Sequence, residues 1–168
     1  MPETLTMTTL SQQDTDAYIA SLVESYEQYK PHFTEDEWPL YVESLRYPHV
    51  ENKADATFVV KLNEQIVGGL QIYIGAEKAY NRPELAIGGP IIRLLFVHPS
   101  ARGKGIAQKL LSFTYEKLRE LGYEEVHLHS GKMMADSIAM YKYLGYERAE
   151  NKDFYIDEFP IYCYRYRF

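Results

Sequence analysis

The chain has 168 residues and a mass of 19.6 kDa, and 46% of its residues are hydrophobic and 25% charged. This is the size and composition of one globular domain. Its 18 lysines and arginines against 24 aspartates and glutamates give a net charge of −6, which would repel an anionic membrane surface or a nucleic-acid backbone. We therefore expect neither nucleic acid nor a membrane as a partner.

The cysteine content and the start of the sequence bear on the cellular compartment. Cys163 is the single cysteine, and residues 1–14 lack the basic and apolar regions of a secretory signal. No apolar run approaches the roughly 18 residues of a membrane span. We expect a soluble, reduced, cytoplasmic protein.

The first half of the chain predicts a strand, two helices and a hairpin. Apolar residues at three- and four-residue steps indicate the first helix, which Pro31 would stop. Thr34 with Glu37 three residues later predicts a capping box for the second helix, and Asn63-Glu64 predicts a two-residue hairpin turn. The predicted elements are a strand over 4–10, helices over 14–29 and 34–45, and hairpin strands over 57–62 and 65–75.

The second half alternates strands and helices. Residues 90–97 are nearly all apolar, which is typical of a central strand buried on both faces. Gly122 and Gly145 stand where each of two amphipathic helices would end. The predicted elements are strands over 90–97 and 125–130, helices over 106–121 and 136–144, and from residue 147 a strand, a loop and a final strand with an aromatic face.

The sequence from Leu95 to Ala107 leads a buried strand through a glycine turn directly into a strong helix. Gly103 and Gly105 allow the backbone to curl with its N–H groups pointing inward, and the first helical turn has N–H groups without intrahelical partners. The positive end of the helix dipole, Arg102 and Lys104 add further attraction for an anion. The segment therefore predicts a phosphate-binding site.

Two well-known phosphate loops do not fit this segment. A Walker A loop requires Ser or Thr after Gly-Lys, but Gly105 follows Lys104. A dinucleotide fingerprint requires a third Gly or Ala three residues after the second, where this chain has Gln108.

The pattern that does match is Arg/Gln-x-x-Gly-x-Gly/Ala over 102–107, preceded by Leu95-x-Val97-x-Pro99. A second block, Ser137-x-x-x-Tyr141-x-x-Leu144-Gly145-Tyr146, follows at a suitable distance. Together they resemble the GNAT superfamily of N-acetyltransferases. The resemblance implies one acetyltransferase domain over 1–168 with an α/β (α+β) fold, in which a mixed, mostly antiparallel central sheet of about seven strands is flanked by about four helices.

The same resemblance implies roles for individual residues in binding acetyl-CoA as co-substrate. Backbone N–H groups would hold its pyrophosphate along Arg102, Gly103, Lys104, Gly105, Ile106 and Ala107. Leu95, Phe96 and Val97 would pair with the pantetheine arm, and the Val97 N–H would donate to the thioester oxygen. Tyr141 would contact the cofactor and act as general acid, although its helical spacing would place it on an apolar face in any case. Met134 is a candidate cofactor contact at a position where the family often has Asn.

The function implied is that of an acyltransferase without a metal, which moves an acetyl group to a primary amine by direct attack. The acceptor could be a small molecule or a protein amino group, and candidate acceptor loops run over 30–38 and 151–159. The general base stays open between Glu84, Asp153 and a water chain, and a homodimer also stays open. The alternative is a non-catalytic CoA-binding regulatory module.

Three histidines have a functional and a structural interpretation. His127 and His129 share one strand face and could form a metal pair, but no Cys, His or carboxylate pattern completes a site. His98 could approach the phosphates, although a histidine in a solvated loop is favoured.

Overall fold

The computed structural model describes residues 3–168, which form eight β-strands and five α-helices. The strands are β1 Leu5–Thr9, β2 Ala56–Leu62, β3 Gln65–Ile74, β4 Pro90–Val97, β5 Glu125–Gly131, β6 Glu147–Arg148, β7 Phe154–Ile156 and β8 Phe159–Arg167. The helices are α1 Thr15–Tyr26, α2 Glu37–Val50, α3 Ala76–Tyr80, α4 Ile106–Glu120 and α5 Ala135–Tyr143.

All eight strands belong to one mixed sheet. Its strand order is β1-β2-β3-β4-β5-β8-β6, and β7 pairs with β8 beside this path. β4 and β5 are parallel, whereas β1 with β2, and β5, β6 and β7 each with β8, are antiparallel. The predicted fold class is confirmed, with α3 and the short strand β7 added to the expected elements.

The chain divides into two compact units, each with its own core. The first comprises the chain up to Gln71 together with Leu94–Thr114, and the second comprises Ile72–Arg93 together with Tyr115–Phe168. The single acetyltransferase domain over residues 1–168 stays a prediction.

Tyr18 organises the core of the first unit. Its side chain is fully buried on α1 and its ring meets the edge of Phe96 from β4, with 5.3 Å between the ring centroids. A Cβ on Gly69 would lie 2.4 Å from the Tyr18 ring and 2.6 Å from the Phe58 carbonyl oxygen. Only glycine fits at position 69, because Tyr18 packs directly against the backbone of β3.

Aromatic stacking organises one side of the second unit. The alternating aromatic residues of the last strand face Tyr115 of α4, and ring centroids lie 4.9 Å apart for Tyr115 and Tyr166 and 5.1 Å apart for Tyr115 and Phe168. Tyr146 stacks on Tyr166 at 5.1 Å. The predicted aromatic face of the final strand is confirmed.

Helix ends confirm several local predictions. The Glu37 N–H donates to Thr34 Oγ1 (3.2 Å) and the Thr34 N–H donates to Glu37 Oε1 (2.8 Å), so the capping box is present. The bond from the Thr34 N–H lowers the pKa of Glu37. Gly122 and Gly145 both have positive φ angles at the ends of α4 and α5.

Two predicted helix boundaries were wrong, and one short helix was not predicted. The first helix ends at Tyr26 and continues only as the 3-10 turn Glu27–His32, because Pro31 leaves no regular helix beyond it. The second helix runs past Leu45 to Val50 despite Pro48, since the buried His49 ring packs on Tyr18 with 5.1 Å between centroids. The short helix α3 was predicted as loop. Hydrogen bonds from Gly75 N–H to Gly89 O and from Ala76 N–H to Ile87 O support its first turn, and such long-range pairs leave no local sequence signal.

Among residues 3–168, no helix is long and apolar enough to cross a membrane.

Candidate functional site

The end of β4 directs its backbone groups to alternate sides. The His98 N–H donates to Val67 O (2.7 Å), and a Cβ on Gly68 would lie 2.9 Å from Phe96 O. Phe96 and His98 therefore turn their backbone groups toward β3. Because alternation reverses direction at each residue, Leu95 and Val97 present their N–H and carbonyl groups on the side away from β3.

Side chains of the same unit already hold both carbonyls on that side. The Tyr26 hydroxyl donates to Leu95 O (3.3 Å), and Arg102 Nε–H donates to Val97 O (3.2 Å). These two bonds hold the end of β4 through the carbonyl groups of Leu95 and Val97. The Val97 N–H faces the same direction, away from β3.

Leu94 interrupts the regular strand just before this segment. Its φ of 55° lies in the left-handed region, which is unfavourable for a branched side chain. The parallel ladder between β4 and β5 pairs Ile91 with His127 and Ile92 with Leu128. Leu94 therefore marks a change in backbone direction between the paired start of β4 and its functional end.

His98 fixes the turn after β4. Its Nδ1 accepts from the Ser100 N–H (3.2 Å), so Nε2 carries the proton and donates to Glu24 Oε2 (2.7 Å). The Ser100 hydroxyl also lies 2.7 Å from Nδ1. This histidine positions the loop against α1, which supports the structural interpretation of its role.

The predicted phosphate loop has the backbone shape that its glycines allow. Gly103 and Gly105 have φ angles of 79° and 69°, and a Cβ at either position would meet no heavy atom within 4 Å. The Lys109 N–H donates to Gly105 O (3.1 Å) as α4 begins, so the N–H groups of the first turn precede the helical ladder. The loop therefore forms an open cradle at a helix N-terminus, which fits a pyrophosphate group.

The two cations of the loop are already engaged. Arg102 bonds to Val97 O, and Lys104 Nζ forms an ion pair with the Glu3 carboxylate. Ala101 and Ile106 on either side of the loop are buried and anchor it. An anion bound at this loop would therefore be held mainly by the backbone N–H groups and the helix dipole.

Aromatic side chains of α1, α2 and the turn between them form a contiguous cluster in the first unit. Its rings pack with centroid distances from 4.4 to 6.4 Å. The members are Tyr26, Tyr29, Phe33, Trp38 and Tyr41. The cluster includes part of the predicted acceptor loop 30–38, and Tyr26 connects it to the end of β4.

Tyr141 lies on α5 in the second unit and is buried. Its ring is 5.4 Å from that of Tyr146, whose hydroxyl shares a hydrogen bond with the Tyr115 hydroxyl. Burial raises the pKa of both Tyr115 and Tyr146 well above the ordinary value. Met134 occupies the N-cap of α5, and its side chain makes no capping bond, because a thioether cannot replace the amide that the family pattern has there.

Asp153, one of the three candidates for the general base, has a structural partner. Arg148 binds both of its carboxylate oxygens at 2.8 Å, and the Cys163 N–H donates to Oδ1 (2.6 Å). Partial burial raises the pKa of Asp153, but these bonds outweigh it and hold the pKa below the ordinary value. A carboxylate with both oxygens engaged is a poor proton acceptor, so Glu84 and a water chain remain the better candidates.

The two histidines of β5 have different surroundings. His129 Nε2–H donates to Lys152 O (2.8 Å) and its Nδ1 accepts from the Tyr80 hydroxyl (3.1 Å). Both nitrogens of His129 are therefore engaged, whereas His127 lines a cavity described below. Within the described part of the chain, no group of three or more His, Cys, Asp or Glu residues could hold a metal ion.

Comparison with known proteins identifies the family. The model of the acetyltransferase (GNAT) family matches residues 19–146, which include both motif blocks. The chain belongs to the GNAT acetyltransferase family. A curated relative, the uncharacterized N-acetyltransferase YjgM of Escherichia coli (strain K12), is 32% identical over 59 residues, which cover 35% of each chain. The match thus spans about a third of that relative.

Solved structures show the same fold over nearly the whole chain. The PaiA N-acetyltransferase from Thermoplasma acidophilum, solved in complex with coenzyme A, has a TM-score of 0.74 at 15% identity and covers 97% of this chain and 99% of its own. An acetyltransferase from Thermus thermophilus has a TM-score of 0.72 at 15% identity and covers 98% of this chain and 97% of its own. At these identities, the likeness concerns the fold.

Sequence reasoning missed the residues that support the site. The sequence analysis gave no site role to Tyr26, Glu24 or Gly68, which contact the end of β4 and the turn after it. The adjacent glycines at 68 and 69 within a strand were the available signal, because glycine inside a strand marks a close backbone approach.

Proposed function

We propose that this protein transfers the acetyl group of acetyl-CoA to a primary amine by direct attack. The observation that carries the proposal is the open glycine cradle of Arg102–Ala107 at the N-terminus of α4. Two findings support acetyl-CoA as the ligand. The chain belongs to the GNAT family, and a structural neighbour was solved in complex with coenzyme A.

This chain supplies a group for each step of the proposed acetyl transfer. Backbone N–H groups of the cradle bind the pyrophosphate, and the backbone of Leu95 to Val97 aligns the pantetheine arm. Acetyl-CoA supplies the activated acyl group as a thioester. The amine nitrogen bonds to the acetyl carbon, and the Val97 N–H donates to the thioester oxygen as negative charge develops there. The carbon–sulfur bond then breaks, Tyr141 gives a proton to the departing sulfur, and the amine nitrogen loses a proton to Glu84 or to a water chain.

The state of Cys163 supports direct attack rather than an acyl-enzyme. The side chain is fully buried, and burial raises the pKa of the thiol to about 12. Because the thiolate is the nucleophilic form, Cys163 is not equipped to accept the acetyl group. The amine itself must attack, and it must do so in its unprotonated form.

The surroundings of the predicted acceptor loop 30–38 suit a cationic or aromatic amine. The aromatic cluster offers ring faces that attract cations, and Glu35, Asp36 and Glu37 are exposed beside Trp38. The same carboxylates suit the first turn of α2, whose dipole favours negative charge there. The amine is to be identified by screening.

The test is thiol release from acetyl-CoA with a panel of alkyl, aromatic and polyamine acceptors and one lysine-containing peptide. An acceptor-dependent release of thiol, with an acetylated amine detected by mass, is the expected result. Coenzyme A binding without release for any acceptor would favour the regulatory binding module instead. Absence of both binding and release would contradict the proposal.

A further inference from the structure

The second unit contains a cavity of about 860 Å³. Its lining includes Gly89, Glu125, His127, Lys152, Arg165 and Arg167, and it includes no residue between 91 and 121. The cavity therefore shares no residue with the proposed phosphate cradle. Its volume lies within the range of about 300–1,000 Å³ that small-molecule sites occupy.

The strand register places the charged side chains of the lining on one face of the sheet. His127 of β5 pairs with Arg165 of β8, and Glu125 pairs with Arg167. Directly opposed residues of antiparallel strands project on the same face. The imidazole, the two guanidinium groups and the carboxylate thus form a compact polar floor.

Hydrogen bonds hold the loop that forms the opposite wall. Lys152 Nζ donates to Leu85 O (2.8 Å) and to Ala86 O (3.3 Å), and the Gly75 N–H donates to Gly89 O (2.9 Å). These bonds connect the wall to two other parts of the unit. The cavity therefore has a defined shape without a ligand.

His127 is buried, with the residue 8% exposed, and its side chain has no hydrogen-bond partner among the described residues. Burial lowers the pKa of His127, although the Glu125 carboxylate favours its protonation. A neutral imidazole has one donor and one acceptor nitrogen. A ligand in the cavity would satisfy them.

Arg165 is also incompletely satisfied. Its Nε is buried without a hydrogen bond and lies 3.6 Å from Glu125 Oε2, which is itself buried and unbonded. Its Nη2 reaches Glu147 Oε2 only at 3.4 Å. Arg167 Nε likewise lies 3.6 Å from Glu125 Oε2. One carboxylate is thus shared by two guanidinium groups at distances beyond an ordinary hydrogen bond.

The open space beside Gly89 and the charge of the lining side chains also suit an anionic ligand. Gly89 is partly buried, yet a Cβ there would meet no heavy atom within 4 Å. Lys152, Arg165 and Arg167 line the cavity together with Glu124 and Glu125, so with His127 neutral the lining side chains carry a net charge of +1 in a chain whose net charge is −6. Arginine forks match the geometry of carboxylates and phosphates.

We propose that this cavity is a second ligand site that binds a small organic oxyanion, a carboxylate or a phosphate ester, through Arg165, Arg167 and His127. The ligand oxygens bond to the guanidinium donors that Glu125 leaves unused, and the imidazole supplies a further hydrogen bond. This site is additional to the acetyl-CoA cradle and does not depend on the proposed acetyl transfer.

The experiment is isothermal titration calorimetry of the full chain with succinate and with inorganic phosphate, both at constant ionic strength set with sodium chloride. We expect saturable binding of at least one probe. The tighter probe distinguishes a carboxylate site from a phosphate site. Absence of saturable binding for both probes would overturn the proposal.

Paired substitutions locate the binding. Arg165→Gln should weaken the tighter probe at least tenfold, whereas Glu125→Gln, which removes the internal counter-ion, should tighten it about threefold or more. Arg46→Gln, which alters an exposed ion pair with Glu43 in the first unit, is the control and should bind as the wild type does. Unchanged binding by folded Arg165→Gln protein would contradict the site.

A second variant keeps the test decisive if Arg165→Gln fails to fold. Gly89→Leu removes no side-chain contact and places a side chain in the open space beside the loop. It should weaken probe binding at least tenfold while coenzyme A affinity stays within twofold of the wild type. Full probe binding by this variant would overturn the proposal.

Discussion

The cradle at Arg102–Ala107 is exposed from Arg102 to Gly105, and its shape is set by backbone angles. The interior of the second unit is set by side-chain packing and pairing; this packed region includes Tyr141, His129 and the Arg148–Asp153 pair. In the cradle, substitution matters where it alters φ or introduces charge. In the packed region, substitution matters where it removes a hydrogen bond or a contact. In the proposed mechanism, the cofactor site is built from main chain and the proton donor lies in a packed aromatic core.

The packed region should show the strongest response to acid. Burial lowers the pKa of His129 to about 4, against about 6.5 when unfolded, although its bond to Lys152 O favours protonation. The unfolded chain therefore binds the proton first, so this contribution to stability is complete above about pH 6.5 and is lost as the pH falls toward 4. The shift corresponds to about 3 kcal/mol.

Denaturant unfolding of the wild type and His129→Gln between pH 7 and 4 measures this effect. Glutamine can still donate to Lys152 O but does not titrate in this range, so the variant should lose less stability on acidification. Parallel pH profiles for the two proteins would show that His129 is not a titrating core residue.

Removal of one oxygen from the Tyr141 side chain should affect catalysis without disturbing packing. Tyr141→Phe keeps the ring against Tyr146, so coenzyme A affinity should remain while kcat falls about 100-fold, or about 2.7 kcal/mol. Tyr143→Phe is the matched control, because Tyr143 lies on the same helix and is 86% exposed. A wild-type kcat in Tyr141→Phe, under conditions where acetyl transfer limits the rate, would exclude the acid role.

The Arg148–Asp153 pair should stabilise the packed region. Asp153→Asn leaves Arg148 without its bidentate partner, and we expect a loss of about 2 kcal/mol in the free energy of unfolding at pH 7. Glu43→Gln breaks the exposed pair with Arg46 and should cost less than about 1 kcal/mol. Equal losses in the two variants would mean that the Asp153 carboxylate is not a structural anchor.

The cradle should respond to charge at a glycine. Gly105→Asp adds bulk and a negative charge where the phosphates are expected, so coenzyme A affinity should fall more than tenfold, or by at least about 1.4 kcal/mol. Gly122→Asp is a matched control, since Gly122 also has a positive φ and open space beside its Cα. The account predicts near-normal affinity in the Gly122 variant, and equal weakening in both would indicate a general effect of strain.

The contrast between features set by the local backbone and features set by tertiary packing also explains which parts of the structure could be predicted from the sequence. The glycines at 103 and 105, the capping box at Thr34 and the helix-ending Gly122 depend on local backbone chemistry, and all three local structures are present as predicted. The fold class followed from the resemblance of two motif blocks to the GNAT superfamily. These features can be predicted because each is specified within a few residues.

Features that depend on tertiary contacts were not predictable in this way. α2 continues through Pro48 because His49 packs on Tyr18, and α3 forms where Gly89 and Ile87 accept its hydrogen bonds. Asp153 was a candidate general base, but its carboxylate is held by Arg148. The cavity in the second unit depends on strand register between β5 and β8, which no motif specifies.

The central claim is that backbone N–H groups of the Arg102–Ala107 loop bind the pyrophosphate of coenzyme A. Titration of the ¹⁵N-labelled protein with coenzyme A, followed by amide chemical shifts, tests it most directly. The account predicts that the amides of Gly103, Gly105, Ile106 and Ala107 are among the most strongly shifted and that their shifts saturate together. Saturable coenzyme A binding that leaves these four amides unshifted would contradict it.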